Sequence, residues 1–286
     1  VRVICAPPYY PAWKLAEGYT APVWRRESWQ GVDVWRSPLW VPAQPGGVKR
    51  VLHLLSFALT SLPVALWQAT WRPDVVVCVA PALVNAPAAN LLARLCGARS
   101  WLHIQDFDVD VAFNMGLLKG RGPRRVVSWL ERALLRRFDV VSSISDRMLE
   151  SLRDKGVAPD RIRAFPNWVD IAHVQVLQRS SRYRAQLGLA EDTRVVLFSG
   201  TLGGKQGLSV IPAAARLLAH RPDILFVIGG EGVMKAQLEA EAAGLSNVRF
   251  LPLQPFERLG EWLGLADIHL LPQSPEAEDL VLPSKL

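Results

Sequence analysis

The chain has 286 residues, half of them hydrophobic and 21% charged, a balance that excludes a disordered chain and allows two domains of ordinary size. Its three cysteines, Cys5, Cys78 and Cys96, lie far apart in apolar runs, which excludes a CxxC motif and reads as buried, reduced thiols. The formal charge of +7 is uneven: residues 1–170 hold 22 Lys/Arg against 14 Asp/Glu, and residues 171–286 hold 11 against 12, so it is the first half that seeks phosphate on nucleic acid, anionic lipid or a phosphorylated acceptor.

The chain opens on VRVICA, an apolar run that reads as a strand, with no visible signal peptide, and it stops at LPSKL. A chain that starts inside a strand and ends inside a motif reads as a fragment truncated at both ends. Strand-like runs follow at Val32–Arg36, Asp74–Ala80, Arg99–Gln105, Asp139–Ile144 and Arg161–Phe165, then at Arg194–Gly200, Ile224–Gly230, Asn247–Leu251 and Asp267–Leu271. Helical periods lie between them, at Leu83–Leu95, Val126–Phe138 and Asp146–Lys155. Such alternation predicts an α/β fold of parallel sheets with helices on both faces, in which ligands bind beyond the carboxyl ends of the strands.

Two segments stand outside that alternation. Val48–Trp71 is apolar almost all round, but His53 and Pro63 interrupt it and Lys49 and Arg50 flank it, which speaks against a membrane span. It reads either as a buried helix or as a helix in the membrane interface, with Lys49, Arg50, Trp67 and Trp71 at head-group level. Lys119–Arg137 is basic, with a loop before Pro123 and then a helix; it reads as a solvated face or as a contact for anionic lipid or a lipid-linked phosphate. No nucleic-acid motif accompanies the charge, so nucleic acid is not expected as a partner.

The alternation breaks at PNWVD (Pro166–Asp170) and restarts at RVVLFSG. This predicts two doubly wound domains, 1–170 and 171–286, with a cleft between them as the natural binding site.

The chemistry concentrates in VVLFSGTLGGKQGLSVIPAAARLL (Val195–Leu218). A strand ends at Ser199–Gly200, a loop carries Gly203, Gly204 and Gly207, and a helix follows with Leu208, Ile211, Ala215 and Leu218 on its inner face. Glycines let the backbone approach a bulky anion, amides at a helix start face it, and Lys205 adds a full charge, which together describe a diphosphate site. The loop is not a Walker A motif, since three residues separate Gly200 from Gly204 and Gln206 follows the lysine. GEGVMK (Gly230–Lys235) lacks the third glycine of a dinucleotide fingerprint. The bland alternative is a plain βα turn.

SGTLGGKQGL, GEGVMKAQLE and the terminal LPSKL resemble the donor-binding half of family-4 retaining glycosyltransferases of the GT-B fold. APPYYPAWK (Ala6–Lys14), LHIQDFDVD (Leu102–Asp110), SSISDRMLESLRDKGV (Ser142–Val157) and FPNWVD (Phe165–Asp170) resemble that family's acceptor domain. Within the family, the order and wording of these segments are most similar to enzymes of colanic acid biosynthesis. The resemblance covers nearly the whole chain and implies a GT-B fold of two Rossmann-like domains, here lacking the first strand and the C-terminal part.

The resemblance also implies roles. Lys205 matches the lysine that holds the donor diphosphate, beside the backbone of Gly200, Thr201, Gly203 and Gly204. Gly230 and Gly232 match the glycine pair near the donor, and Phe250 and Leu251 fall where the backbone meets the nucleobase. Ser284 and Lys285 match the segment that approaches the donor sugar and phosphates. His103 matches the active-site histidine near the donor sugar, and Asp106 in the same loop could contact donor or acceptor hydroxyls. Without the family match, His103 would read as a histidine packed at a strand end. The run Asp106, Asp108, Asp110 looks like a metal-binding DxD, yet the resemblance implies neither a metal nor another cofactor.

Three features depart from the family pattern. No Arg precedes Lys205, where Ser199, Gly200 and Thr201 stand; LPSKL lacks the first of two glutamates; and the glycine-rich loop after the family's first strand is absent. The expected function is transfer of a sugar from a GDP- or UDP-linked donor to a polyprenyl-diphosphate-linked saccharide in bacterial exopolysaccharide assembly, in the cytoplasm at the inner face of the plasma membrane. The alternatives are a nucleotide-sugar epimerase or hydrolase of the same fold, and a non-catalytic scaffold subunit.

Overall fold

A computed structural model describes residues 1–10, 12–20, 22–43, 46–80, 83–107, 121–169, 177 and 181–274. The chain divides into two compact units, the first spanning Val1–Pro166 and the second beginning at Asn167.

Among its described residues the first unit contains two sheets. Strands β1 (Arg2–Cys5), β2 (Arg25–Trp29) and β3 (Val32–Arg36) form the smaller one in the order β1-β3-β2. β1 and β3 are parallel, whereas β2 and β3 form an antiparallel hairpin, a departure from the all-parallel expectation. The charged residues of RRESW hide the strand in the sequence because they are used across the hairpin: Arg26 pairs with Asp33 at 2.9 Å and Arg36 with Glu27 at 2.9 Å. The turn residues Gln30 and Gly31 both have positive φ, 47° and 79°, matching the twist of a two-residue hairpin loop.

Helix α1 (Gly47–Trp67) follows and runs on into a 3-10 turn, Gln68–Trp71. It is not the buried helix that its composition suggests. His53, Ser61, Val64 and Ala65 are buried, while Val48, Val51, Leu52, Leu55, Leu59 and Leu66 are exposed.

The larger sheet holds β4 (Val75–Ala80), β5 (Arg99–Ile104), β6 (Val140–Ser143) and β7 (Ile162–Ala164), all parallel and in chain order. Helices α2 (Ala86–Cys96), α3 (Arg121–Leu135) and α4 (Asp146–Asp154) belong to the same unit. Leu102, Leu135, Phe138, Val141, Met148 and Leu152 form its core, each contributing about 2 kcal/mol by burial. α4 starts where Ser145 Oγ accepts from the Met148 amide at 3.3 Å, a side-chain cap. A buried ion pair, Lys155 Nζ to Glu131 Oε2 at 2.5 Å, ties α3 to the end of α4.

Among its described residues the second unit holds one parallel sheet, β8 (Arg194–Ser199), β9 (Ile224–Gly229), β10 (Val248–Leu251) and β11 (Ile268–His269), in the order β10-β9-β8-β11. Val196, Phe198, Phe226 and Ile228 pack with Ile211 and Ala215 of α6 (Val210–Leu217) and Leu238 of α7 (Lys235–Glu241). Val195, Leu197, Leu225 and Val227 pack on the other face, with Tyr183 of α5 (Arg182–Gln186) and Trp262 of α8 (Leu259–Leu263). Burial on both faces explains why β8 and β9 read as continuous apolar runs rather than alternating ones. The Trp262 ring occupies the place where a Cβ on Gly229 would stand, and its Nε1 donates to Ser199 Oγ at 2.7 Å.

Candidate functional site

The order β10-β9-β8-β11 has a consequence for ligand binding. From β8 the chain winds through β9 to β10 on one side, then returns to place β11 on the other side of β8. The switch point therefore falls between β8 and β11, and open α/β sheets bind ligands beyond the carboxyl ends of their strands at such a point. The glycine-rich loop leaves β8 there. Gly207, at φ +57°, lies against the backbone of Gln273 and Ser274 on the β11 side, where an added Cβ would stand 3.2 Å from the Ser274 nitrogen.

Three groups of sequence-predicted residues come together at this edge. Ser199 pairs with Gly229 and Leu251 pairs with Gly229, so β8, β9 and β10 end level with one another. Gly200, Thr201, Gly203 and Gly204 follow the first of these ends, Gly230 and Gly232 the second, and Phe250 and Leu251 complete the third. Lys205 sits in the 3-10 turn Gly204–Gln206. Thr201 and Gly232 are exposed, while Phe250 is partly buried against the core. Ser284, Lys285, Asp108 and Asp110 lie outside the described residues.

The glycines have a duty that their spacing alone does not reveal. The two loops are zipped together: Gly200 N donates to Gly229 O at 2.8 Å, Leu202 N to Glu231 O at 2.9 Å, and Met234 N to Leu202 O at 3.0 Å. A Cβ on Gly230 would overlap the Gly200 carbonyl, and one on Gly232 would overlap that of Leu202. Gly230 N donates to Leu251 O at 3.1 Å, which joins the third strand end to the same network. Gly203 N donates to Gln206 Oε1 at 3.1 Å, so an anion binding that amide takes the place of the Gln206 side chain.

The first unit places His103 on β5, opposite Ser142 on β6. The imidazole is buried, with Nδ1 2.8 Å from Ser142 Oγ, Nε2 2.9 Å from Gln105 Nε2, and the ring edge-on to Phe165 at 5.2 Å. The Gln105 amide donates to Nε2, which leaves the ring proton on Nδ1, pointing at Ser142. Burial pushes the His103 pKa below its ordinary value, and a hydrogen bond that the ring donates to the Ser142 backbone partly opposes this. Asp106 is half-buried just past the strand end. Trp101 Nε1 also donates to Ser142 Oγ, at 2.7 Å. Trp101 and Gln105 flank His103 at intervals of two, a strand alternation visible in SWLHIQ, but Ser142 is brought in only by the pairing of β5 with β6. On α3, Arg124, Arg125, Ser128, Trp129 and Arg132 line an open recess of about 470 Å³.

Residues 1–168 match the family described as Glycosyl transferase 4-like domain, and residues 180–282 match Glycosyl transferases group 1. The whole chain is 44% identical to the colanic acid biosynthesis glycosyl transferase WcaI of Escherichia coli (strain K12), of which it covers 72%. The chain belongs to the family-4 glycosyltransferases of GT-B fold.

More distant relatives and solved structures agree with that placement. The transferase is 31% identical to the D-inositol 3-phosphate glycosyltransferase of Geodermatophilus obscurus over 56% of its own length and 38% of that protein's. Its fold matches sucrose-phosphate synthase from Thermosynechococcus elongatus with a TM-score of 0.67 and 15% identity, covering 95% of this chain and 65% of that one. It also matches Anabaena HepE, solved in complex with UDP and glucose, with a TM-score of 0.59 and 17% identity over 86% of this chain and 62% of that one. The transferase thus spans roughly three-fifths to three-quarters of these proteins' lengths, apart from the inositol-phosphate enzyme.

Proposed function

We propose that the chain carries the donor site and part of the acceptor side of an enzyme that moves a sugar, with retention, from a nucleoside-diphosphate sugar to a polyprenyl-diphosphate-linked saccharide in bacterial exopolysaccharide assembly. The observation that carries the reading is that three strand ends and the Gly200–Gly207 loop, with Lys205 in it, share the carboxyl edge of the second sheet, where the loop leaves β8 at the switch point. WcaI supports the pathway class, and HepE, solved with UDP, supports a nucleoside diphosphate leaving group.

Charge grows on the diphosphate as the glycosidic bond breaks. Lys205 and the amides of its turn stabilise that charge more in the transition state than in the ground state, and this difference is what lowers the barrier. The reading assigns this neutralisation to the chain, with no metal. It gives His103 and Asp106 the hydroxyls of the donor sugar. His103 is suited to this as a neutral ring whose Nε2, held here by the Gln105 amide, accepts from a sugar hydroxyl that takes the place of that amide. The Arg-lined recess on α3 supports a phosphate-bearing acceptor, and hence peripheral placement at the cytoplasmic face of the plasma membrane.

The test is calorimetry with UDP and GDP, followed by product analysis with and without a polyprenyl-diphosphate saccharide. Binding of one nucleotide and a glycosylated lipid product are expected. Binding with release of free sugar in the absence of acceptor points to a hydrolase instead, and absence of binding to both nucleotides points to a scaffold subunit.

A further inference from the structure

The face that α1 turns outward is more apolar than the face it buries. Val48, Leu52, Leu55, Leu59 and Leu66 recur at three-, four- and seven-residue spacing, and all are exposed, Leu59 to 69%. The face turned to the protein buries Val64 and Ala65 together with the polar His53, Ser61 and, in the turn beyond the helix, Gln68. These polar groups are bound into the unit along the length of the helix. His53 Nδ1 lies 2.6 Å from the Trp40 carbonyl, Thr60 Oγ1 donates to the Pro38 carbonyl, and Gln68 Oε1 accepts from Arg2 Nη1 at 2.8 Å. A surface helix of a globular protein has the opposite arrangement, and an uncovered apolar stripe of this kind marks an interaction surface.

The charge around the stripe selects its occupant. Residues 47–72, the helix and the turn beyond it, hold three Lys/Arg and no Asp/Glu. Lys49 and Arg50 stand in the first turn of α1, and the exposed Trp67 and Trp71 stand at its far end with Arg72 beyond them. Exposed Trp24 reaches the helix from the side, its Nε1 donating to the Thr60 carbonyl at 2.9 Å. Leucines flanked by tryptophans and by cations form the surface that an anionic bilayer binds.

We propose that α1 lies flat in the head-group region of an anionic membrane, with its leucine stripe toward the acyl chains. Gly47–Trp71 is long and apolar enough to cross a bilayer, but its hydrogen bonds to Arg2, Pro38 and Trp40 hold it to the first unit, so it lies on the membrane rather than through it. This deepens the proposed placement beside a lipid-linked acceptor and rests on that reading for its purpose.

The full chain is pelleted with phosphatidylcholine vesicles, with and without phosphatidylglycerol, while UDP and GDP binding is titrated separately. Binding to the phosphatidylglycerol vesicles is expected. Leu55→Glu with Leu59→Glu lowers it by roughly 100-fold. Lys49→Gln with Arg50→Gln lowers it by roughly 10-fold at low salt, a difference that closes at high salt. Should the double Glu variant lose its circular dichroism signal, Leu59→Gln alone gives the same readout with a drop of roughly 10-fold. Failure of the wild type to pellet with phosphatidylglycerol overturns the proposal, as does undiminished pelleting of a folded Glu or Gln variant. A dimer that forms with concentration and is abolished by the Glu substitutions, without vesicle binding, assigns the stripe to a second copy and also overturns it. A chain that pellets but binds neither nucleotide overturns the proposed function and leaves the assignment of α1 standing.

Discussion

Gly230 passes so close to Gly200 that a Cβ on it would overlap the Gly200 carbonyl oxygen, and its φ of +147° is one that other residues rarely adopt. Gly230→Ala therefore meets both a clash and backbone strain, and is expected to destabilise the second unit by about 3 kcal/mol. Gly244→Ala, at φ +81° with nothing within 4 Å, meets strain alone and is expected to cost about 1 kcal/mol. Hydrogen exchange at the β8 and β9 amides measures both. Equal losses would show that loop-on-loop packing is not what demands glycine at position 230.

Lys205→Ala is expected to weaken UDP or GDP binding by about 10- to 100-fold, the loss of one charge-assisted contact to phosphate. Uridine or guanosine, lacking the diphosphate, should bind the variant and the wild type alike. Calorimetry with the four ligands separates a lost phosphate contact from a lost fold, and unchanged nucleotide affinity would remove Lys205 from the site.

His103 is held neutral, chiefly because burial disfavours its charged form. The unfolded chain takes up that proton near the ordinary 6.5 and the folded chain only at lower pH. The resulting stability is fully present above 6.5 and is lost as pH falls through the lower, folded value. An NMR titration of the ring should report a pKa below 6.5, and His103→Asn should flatten the acid limb of the stability profile. A ring titrating above 6.5 would contradict the neutral role proposed for it.

The Lys155–Glu131 pair is buried, with side-chain exposures of 11% and 5%. Lys155→Met alone removes a cation from beside a buried carboxylate and is expected to cost about 3 kcal/mol. Adding Glu131→Leu should recover most of that loss, because it removes the desolvated charge as well. Denaturant midpoints of the two single variants and the double variant measure the coupling. Additive losses would mean that the two residues act independently.

Much of the second unit is legible along the chain. VVLF and ILFVIG read as strands because both faces of their sheet are covered, and the glycines of SGTLGG mark a tight loop whatever its ligand. The first unit is less legible. RRESW conceals β2 because its Arg26 and Glu27 pair with Asp33 and Arg36 of β3 across the hairpin, and charge pairing between strands has no local signature. His103 stands out as a lone histidine in an apolar strand, but Ser142, 39 residues away, becomes its partner only through the register of β5 and β6.

The amino-acid sequence by itself determined the alternation of strands and helices, the glycine loop with its lysine, and the membership of the chain in its family, because each is carried by neighbouring residues. Tertiary structure alone decided three other matters. One was that Gly230 and Gly232 serve the approach of two loops, and another was that β8 stands at a switch point. The third was that α1 turns His53 and Ser61 inward and leaves Leu52, Leu55, Leu59 and Leu66 exposed. Each depends on which distant backbone or side chain comes to lie alongside, and local periodicity cannot tell an apolar stripe that faces the core from one that faces outward.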